Sequence, residues 1–293
     1  MIKSFLKYIE FEKRYSPHTV ISYKNDLDQF SVFLSSLDGH LNLFLVTHSH
    51  IRSWIISLVE DKLSPSSINR KMASLRSYYK FLVRSGTITI DPSTQLKALR
   101  TPKRLPQFAQ EVEMNRLFES VEFGDDFMGV RDQLLLELLY GTGMRRSELI
   151  GLKLSSINTA KRQVKVLGKR NKERVLPLNI EVVKLIQKYL QLREVESMSG
   201  ANDFLLLTDK GQSLYEAFVY RKVKKYLGAA TSLEKNSPHI LRHTFATHLL
   251  NNGADLNAVK ELLGHSSLAA TQVYTHNSLD KLKKVFEKAH PKA

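Results

Sequence analysis

The sequence predicts a mainly α-helical protein of two domains, the second a mixed α+β unit with a small antiparallel sheet. Three observations carry this expectation. At 293 residues the chain is long for a single hydrophobic core. The stretch Arg100-Thr101-Pro102-Lys103-Arg104-Leu105-Pro106 is basic, nearly devoid of apolar side chains and interrupted by prolines, which disfavour helix in the residue before them. Apolar residues recur at helical spacing on both sides of it and give way to two-residue alternation only between Arg162 and Leu178. The expected division is a helical domain over 1–100, a linker over 101–107 and a second domain over 108–293.

In the first domain, Phe5, Leu6 and Ile9 align on an opening helical segment. Ser16-Pro17 then supplies a cap and a first-turn proline for a helix with Val20, Tyr23, Leu27, Phe30 and Leu34 on one face. A further helix holds Ile51, Ile55, Leu58 and Val59. The last starts at Ser64-Pro65 and runs through Ile68, Met72, Leu75, Tyr79 and Leu82 to Gly86. Together these make a four-helix domain. The last helix also carries Asn69, Arg70, Lys71, Arg76 and Lys80, a set that reads either as a solvated face or as a surface for nucleic acid.

Beyond the linker, Val130 to Tyr140 reads as an apolar helix ended by Gly141-Thr142-Gly143, followed by a short helix over Arg145 to Leu152. Val164 and Val166 alternate with polar residues, as Val175 and Pro177 do less cleanly, around the tip Gly168-Lys169-Arg170-Asn171-Lys172, which predicts a β-hairpin. Helices resume over Ile180–Leu192, Leu214–Leu227 and Pro238–Asn252, and short ones follow with Gly264 as a stop. From about residue 278, capped by Ser278, a tail helix repeats Leu279, Leu282 and Phe286 on one face.

Lys and Arg number 44 against 29 Asp and Glu, and a net charge of +15 points to a polyanionic partner, nucleic acid first. The excess is shared by both domains. The absence of cysteine excludes disulfides, thiolate metal sites and a cysteine nucleophile. Neither a signal-peptide pattern nor an apolar run of membrane-spanning length is found, so a soluble, cytoplasmic protein without membrane attachment is expected.

His239 and Arg242 stand three apart, on one face of their helix. A planar Arg fork suits two phosphate oxygens, and an imidazole beside it can move a proton. Arg145 follows a glycine-rich turn that can aim its side chain into a cleft, and Glu148 can hold it by a charge-assisted bond, although an ordinary helix ion pair fits the same spacing. Lys169, at the hairpin tip, is solvated unless an anion sits over it. Leu263-Gly264-His265 comes next, and Tyr274 follows nine residues later, readable by itself as a core aromatic.

The set Gly141-Thr142-Gly143-Met144-Arg145-Arg146-Ser147-Glu148-Leu149, Leu167-Gly168-Lys169, His239-Ile240-Leu241-Arg242-His243, Leu262-Leu263-Gly264-His265 and Tyr274 resembles, in order and spacing, the tyrosine recombinases. The resemblance extends over nearly the whole chain, and within that family it points to the bacterial Xer group. No additional amino-terminal domain of the arm-binding phage integrases is expected. The family likeness implies a two-domain clamp on DNA: a SAM-like core-binding domain of four helices, and a catalytic domain. Arg145 and Arg242 would grip the scissile phosphate, Lys169 would protonate the departing 5′ oxygen, His239 would act as general base and His265 would hydrogen-bond a phosphate oxygen. Glu148 would support Arg145, and Tyr274 would be the nucleophile of a 3′-phosphotyrosyl link, its phenol (pKa about 10) needing nearby cations to react. Asn69, Arg70, Lys71 and Arg76 become DNA-binding candidates. The likeness implies no metal and no cofactor. Its implied partners are a double-stranded recombination site, a homo- or hetero-tetramer passing through a Holliday junction, a sister Xer recombinase and an FtsK-type DNA translocase, in chromosome dimer resolution.

Other readings divide on simple features. A mobile-element integrase shares every motif, and a type IB topoisomerase shares the Arg, Lys, Arg, His and Tyr set but relaxes supercoils without joining partners. A non-catalytic DNA-binding regulator leaves the dispersed catalytic-type residues without a reason. A zinc hydrolase built on His239 and His243 lacks a third ligand.

Overall fold

The computed structural model describes residues 1–37, 42–102, 107–168, 172–196, 203–264 and 285–292. The chain divides into two compact units, Met1–Arg104 and Leu105–Ala293.

In the first unit, α1 (Ile2–Lys7) runs on into a π-helical turn over Tyr8–Glu12, followed by α2 (Pro17–Leu37), α3 (His48–Glu60) and α4 (Pro65–Arg84). The cap expected at Ser64 is present: its hydroxyl accepts from the Ser67 amide at 3.2 Å, with Pro65 in the first turn. The periodic residues Leu27, Phe30 and Leu34 of α2 meet Ile68, Met72, Leu75, Tyr79 and Leu82 of α4 in one core. On α3 the buried stripe is Ile51, Trp54 and Leu58, and Val59, expected inside, is exposed. Trp54 takes the space, its ring tilted at 47° against that of Phe30 with centroids 4.8 Å apart.

The second unit contains α5 (Glu111–Glu119), α6 (Phe127–Thr142), α7 (Arg146–Ile150), strands β1 (Ile157–Asn158), β2 (Gln163–Leu167) and β3 (Glu173–Pro177), then α8 (Ile180–Val195), α9 (Glu216–Ala230), α10 (Pro238–Asn251) and α11 (Leu256–Leu263). The strands form one antiparallel sheet in the order β1-β2-β3. Helix α6 is buried on nearly every face and packs against α8 and α10. It starts at Asp126, whose carboxylate accepts from the Gly129 amide at 2.8 Å, and ends at Gly143 in the left-handed conformation, φ +62°.

One expectation is corrected here. On β3 the side chains that turn into the protein beside Val164 and Val166 are Arg174 and Leu176, because the register pairs Val166 with Arg174 and Val164 with Leu176. Val175 points the other way; an arginine in the inward phase disguised the alternation. The tail expected from about residue 278 is described over 285–292. Leu279 and Leu282 lie outside the described residues, but Phe286 and Ala289 are buried in this unit's own core. Asn179 donates to the Lys292 carbonyl at 2.6 Å and Asn252 to that of Ala289 at 2.9 Å, so the chain end is fastened in cis. Among the described residues no helix is long and apolar enough to cross a membrane.

Candidate active site

Three arginines from separate elements converge on the carboxyl end of α11. Arg145, at the start of α7, donates through Nη2 to the carbonyl of Gly264 at 3.1 Å. Arg242, on α10, reaches the Leu263 carbonyl at 2.6 Å and, through its other terminal nitrogen, that of Gly143 at 2.7 Å. Arg174, on β3, donates through Nε to the Leu262 carbonyl at 2.9 Å. The last carbonyls of a helix have no partner within it and carry partial negative charge, so cations are favoured there.

Glu148 orders this cluster. Its Oε1 accepts from Arg145 Nη1 and Arg174 Nη1, both at 2.7 Å, and its Oε2 from the Arg145 amide at 2.7 Å and Arg174 Nη2 at 2.8 Å. Burial would raise its pKa, but the bonds from Arg174 and Arg145 outweigh burial and hold the carboxyl below its ordinary value. Arg242 is pushed down to about 10, first by burial and then by repulsion from Arg145 and Arg174, which attraction to Glu148 only partly offsets. Three guanidinium groups thus share one carboxylate, and the cluster is short of negative charge. A bound anion would relieve it.

Glycines set the close approaches. A Cβ on Gly143 would overlap the Phe245 ring, and the left-handed turn there presents the carbonyl that Arg242 takes. Gly264 is also left-handed, φ +63°, and a Cβ on it would lie 3.2 Å from Arg174 Nη1.

Of the sequence candidates, Arg145, Glu148 and Arg242 come together as expected. His239 is exposed in the first turn of α10, one turn ahead of Arg242. Lys169, His265 and Tyr274 lie outside the described residues. The chain leads to Lys169 from Gly168 and to His265 from Gly264, both packed on Arg174. Among the described residues no group of three or more His, Asp or Glu is gathered as a metal site requires.

The first-unit candidates are engaged within their own domain. The Asn69 amide donates to the Leu99 carbonyl at 2.9 Å and accepts from its amide at 2.8 Å, tying the segment after α4 to that helix. Arg70 grips Asp26 with both terminal nitrogens, and Arg76 donates to the Leu96 carbonyl. Lys71, read as a possible DNA contact, is buried, with its ammonium 3.1 Å from Asp26 and bonded to Gln29. Its charge is spent inside the domain. The exposed stripe of α4 carries Arg70 and Lys80.

Arg174 was missing from the sequence candidates. Nothing marked it except the broken alternation of β3, where a polar residue holds an inward position.

This fold and site have known counterparts. The profile of the Phage integrase family matches residues 107–280, and that of the Phage integrase, N-terminal SAM-like domain, matches residues 2–86. The chain belongs to the phage integrase family of tyrosine recombinases and is a site-specific DNA recombinase. The tyrosine recombinase XerC of Oceanobacillus iheyensis is 41% identical over 295 residues, covering 100% of this chain and 96% of the relative. That of Listeria innocua is 40% identical over 294 residues, covering 99% and 97%. The XerH site-specific recombinase bound to its difH substrate in a pre-cleavage complex superposes with a TM-score of 0.71 at 24% identity, covering 97% of this chain and 83% of that one, a likeness of fold alone.

Proposed function

We propose that this recombinase cuts and rejoins DNA through a covalent bond between the Tyr274 oxygen and a 3′ phosphate. Arg145 and Arg242 grip the non-bridging oxygens of the scissile phosphate and stabilise the charge of its pentacoordinate transition state. His239 takes the phenolic proton as general base, Lys169 protonates the departing 5′ oxygen, and His265 hydrogen-bonds a phosphate oxygen. The phosphodiester energy stays in the phosphotyrosyl bond, and the free 5′ hydroxyl of a partner strand reverses the step. The observation that carries this reading is the convergence of Arg145, Arg242 and Arg174 on the end of α11, with Glu148 the carboxylate that two of them share.

The two units act as a clamp on a double-stranded recombination site. The exposed stripe of α4, through Arg70 and Lys80, meets backbone phosphates, while Asn69, Lys71 and Arg76 hold that helix in place. A tetramer on paired sites passes through a Holliday junction. The role proposed on the Xer resemblance is chromosome dimer resolution, with a sister recombinase and an FtsK-type translocase.

The test is a nicked suicide substrate, on which cleavage traps the covalent adduct. Tyr274→Phe is expected to bind the DNA as the parent does and to form no adduct. The buried Tyr140 and Tyr226, whose phenols burial pushes up, the latter to about 12, are poor nucleophiles, and Phe in their place is expected to leave the adduct intact. An adduct formed by Tyr274→Phe would overturn the assignment.

A further inference from the structure

We infer that Arg174 is a positioning residue for strand cleavage, one side chain that fixes Arg145 through Glu148 and also holds the end of α11; this rests on the role proposed for Arg145. Arg174 is buried, and its donors are directed inward: both terminal nitrogens to Glu148 at 2.7 and 2.8 Å, and Nε to the Leu262 carbonyl at 2.9 Å. It is therefore not placed to grip phosphate itself. It fixes Glu148, and Glu148 in turn holds both the backbone amide and the guanidinium of Arg145. Through Leu262 it also holds the end of α11, from which Gly264 leads to His265.

The glycines extend the same logic. A Cβ on Gly264 would lie 3.2 Å from Arg174 Nη1, and one on Gly168 would lie 3.3 Å from the same atom. The residues immediately before His265 and Lys169 therefore rest on one guanidinium plane. A planar, always-charged guanidinium can bridge both oxygens of a carboxylate with its terminal nitrogens and still present Nε–H, in the same plane, to a further acceptor. Lysine keeps the charge but loses that geometry.

The experiment uses the full-length chain. Arg174→Lys is compared with the parent for thermal unfolding, affinity for a recombination site, and single-turnover cleavage of the suicide substrate. Cleavage is expected to slow by at least about tenfold, with affinity within about twofold, because misplacing reactive groups costs rate more than binding. In combination with Glu148→Gln, the loss is expected to be no greater than that of the more damaged single variant, since both act along one path. A parent-like rate in folded Arg174→Lys would overturn the inference, as would losses that simply add. Should Arg174→Lys fail to fold, Glu148→Gln/Arg174→Gln removes the buried charges together; slow cleavage by that folded protein supports the inference and a parent-like rate overturns it. Arg145→Ala runs in parallel. A parent-like rate there would sink the proposed site itself, whereas inactive Arg145→Ala beside fully active Arg174→Lys would sink only the role of Arg174.

Discussion

Each unit of the molecule contains a buried carboxylate paired with two cations that ties its elements together. Asp26 of the first unit accepts from Arg70, from Lys71 at 3.1 Å and from the Ser74 hydroxyl at 2.7 Å. Glu148 of the second accepts from Arg145 and Arg174. The surroundings differ. Around Asp26 the network joins α2 to α4 and stops there, with Lys71 sealed inside. Around Glu148 a further arginine, Arg242, adds a third positive charge, which among the described residues Glu148 only partly offsets. The same motif thus serves as a bolt in one place and as a frame in the other. What separates them is the third cation, Arg242, beside Glu148.

That contrast can be broken by removing each acid's contribution in turn. The largest effect is expected from Asp26→Asn, which leaves Lys71 buried and unpaired and should cost about 3–5 kcal/mol in the first unit. Trp54 is the only tryptophan and is buried there, so its fluorescence during denaturation reports that unit alone. An unfolding midpoint unmoved by Asp26→Asn would show that the network is not a bolt. Next is Arg145→Ala, expected to slow cleavage by roughly 10²–10³-fold, the usual loss of a charge-stabilising donor. The Trp54 transition should stay where it is. If instead Arg145→Ala shifts that transition and spares cleavage, the roles of the two networks have been misassigned.

How far the sequence discloses this depends on periodicity. In α2 and α4 one face is apolar and the other polar, so the buried residues could be named in advance. Asp26 broke the rule silently, since an acid next to Leu27 reads as solvent-facing until its partners on α4 are seen. Basic residues on α4 looked like a nucleic-acid surface for the same reason: a sequence shows charge but not what neutralises it. Helix α5 escaped notice because only Met114 and Leu117 are buried along its length. In the site, Arg145, Glu148 and Arg242 stand in recognisable motifs, whereas Arg174 owes its importance to a strand register that no local pattern reveals.

A smaller effect probes how the frame is packed. Gly143→Ala would place a methyl group into the Phe245 ring from a left-handed residue, φ +62°, and should destabilise the second unit by about 1–3 kcal/mol. Because the Gly143 carbonyl receives Arg242, cleavage should fall as well. Loss of stability with an unchanged cleavage rate would detach the turn from the function of Arg242.

The smallest effect concerns a buried ionisable group that is kept neutral, where Asp26 and Glu148 are paired with cations. His290 lies against the rings of Phe286, Tyr140 and Phe245, and its Nδ1 accepts from the Lys292 amide at 3.1 Å. Burial, with Lys292 and His248 nearby, pushes its pKa from 6.5 down to about 3. Between those values the unfolded chain holds a proton that the folded one refuses, so stability is complete above about pH 6.5 and declines as pH falls toward 3. One such proton gives a slope of at most about 1.4 kcal/mol per pH unit. His248, also lowered by burial, acts in the same direction and contributes equally to the parent and to a variant at 290. His290→Phe keeps an aromatic ring among its neighbours and removes the proton site. Amide exchange across residues 285–292, corrected for intrinsic pH dependence, should then show the parent opening more readily in acid than at neutral pH, and His290→Phe opening with a visibly flatter profile. Parallel profiles would mean that the chain end is held by Phe286 and the backbone bonds from Asn179 and Asn252, with the imidazole contributing shape but no charge-dependent term.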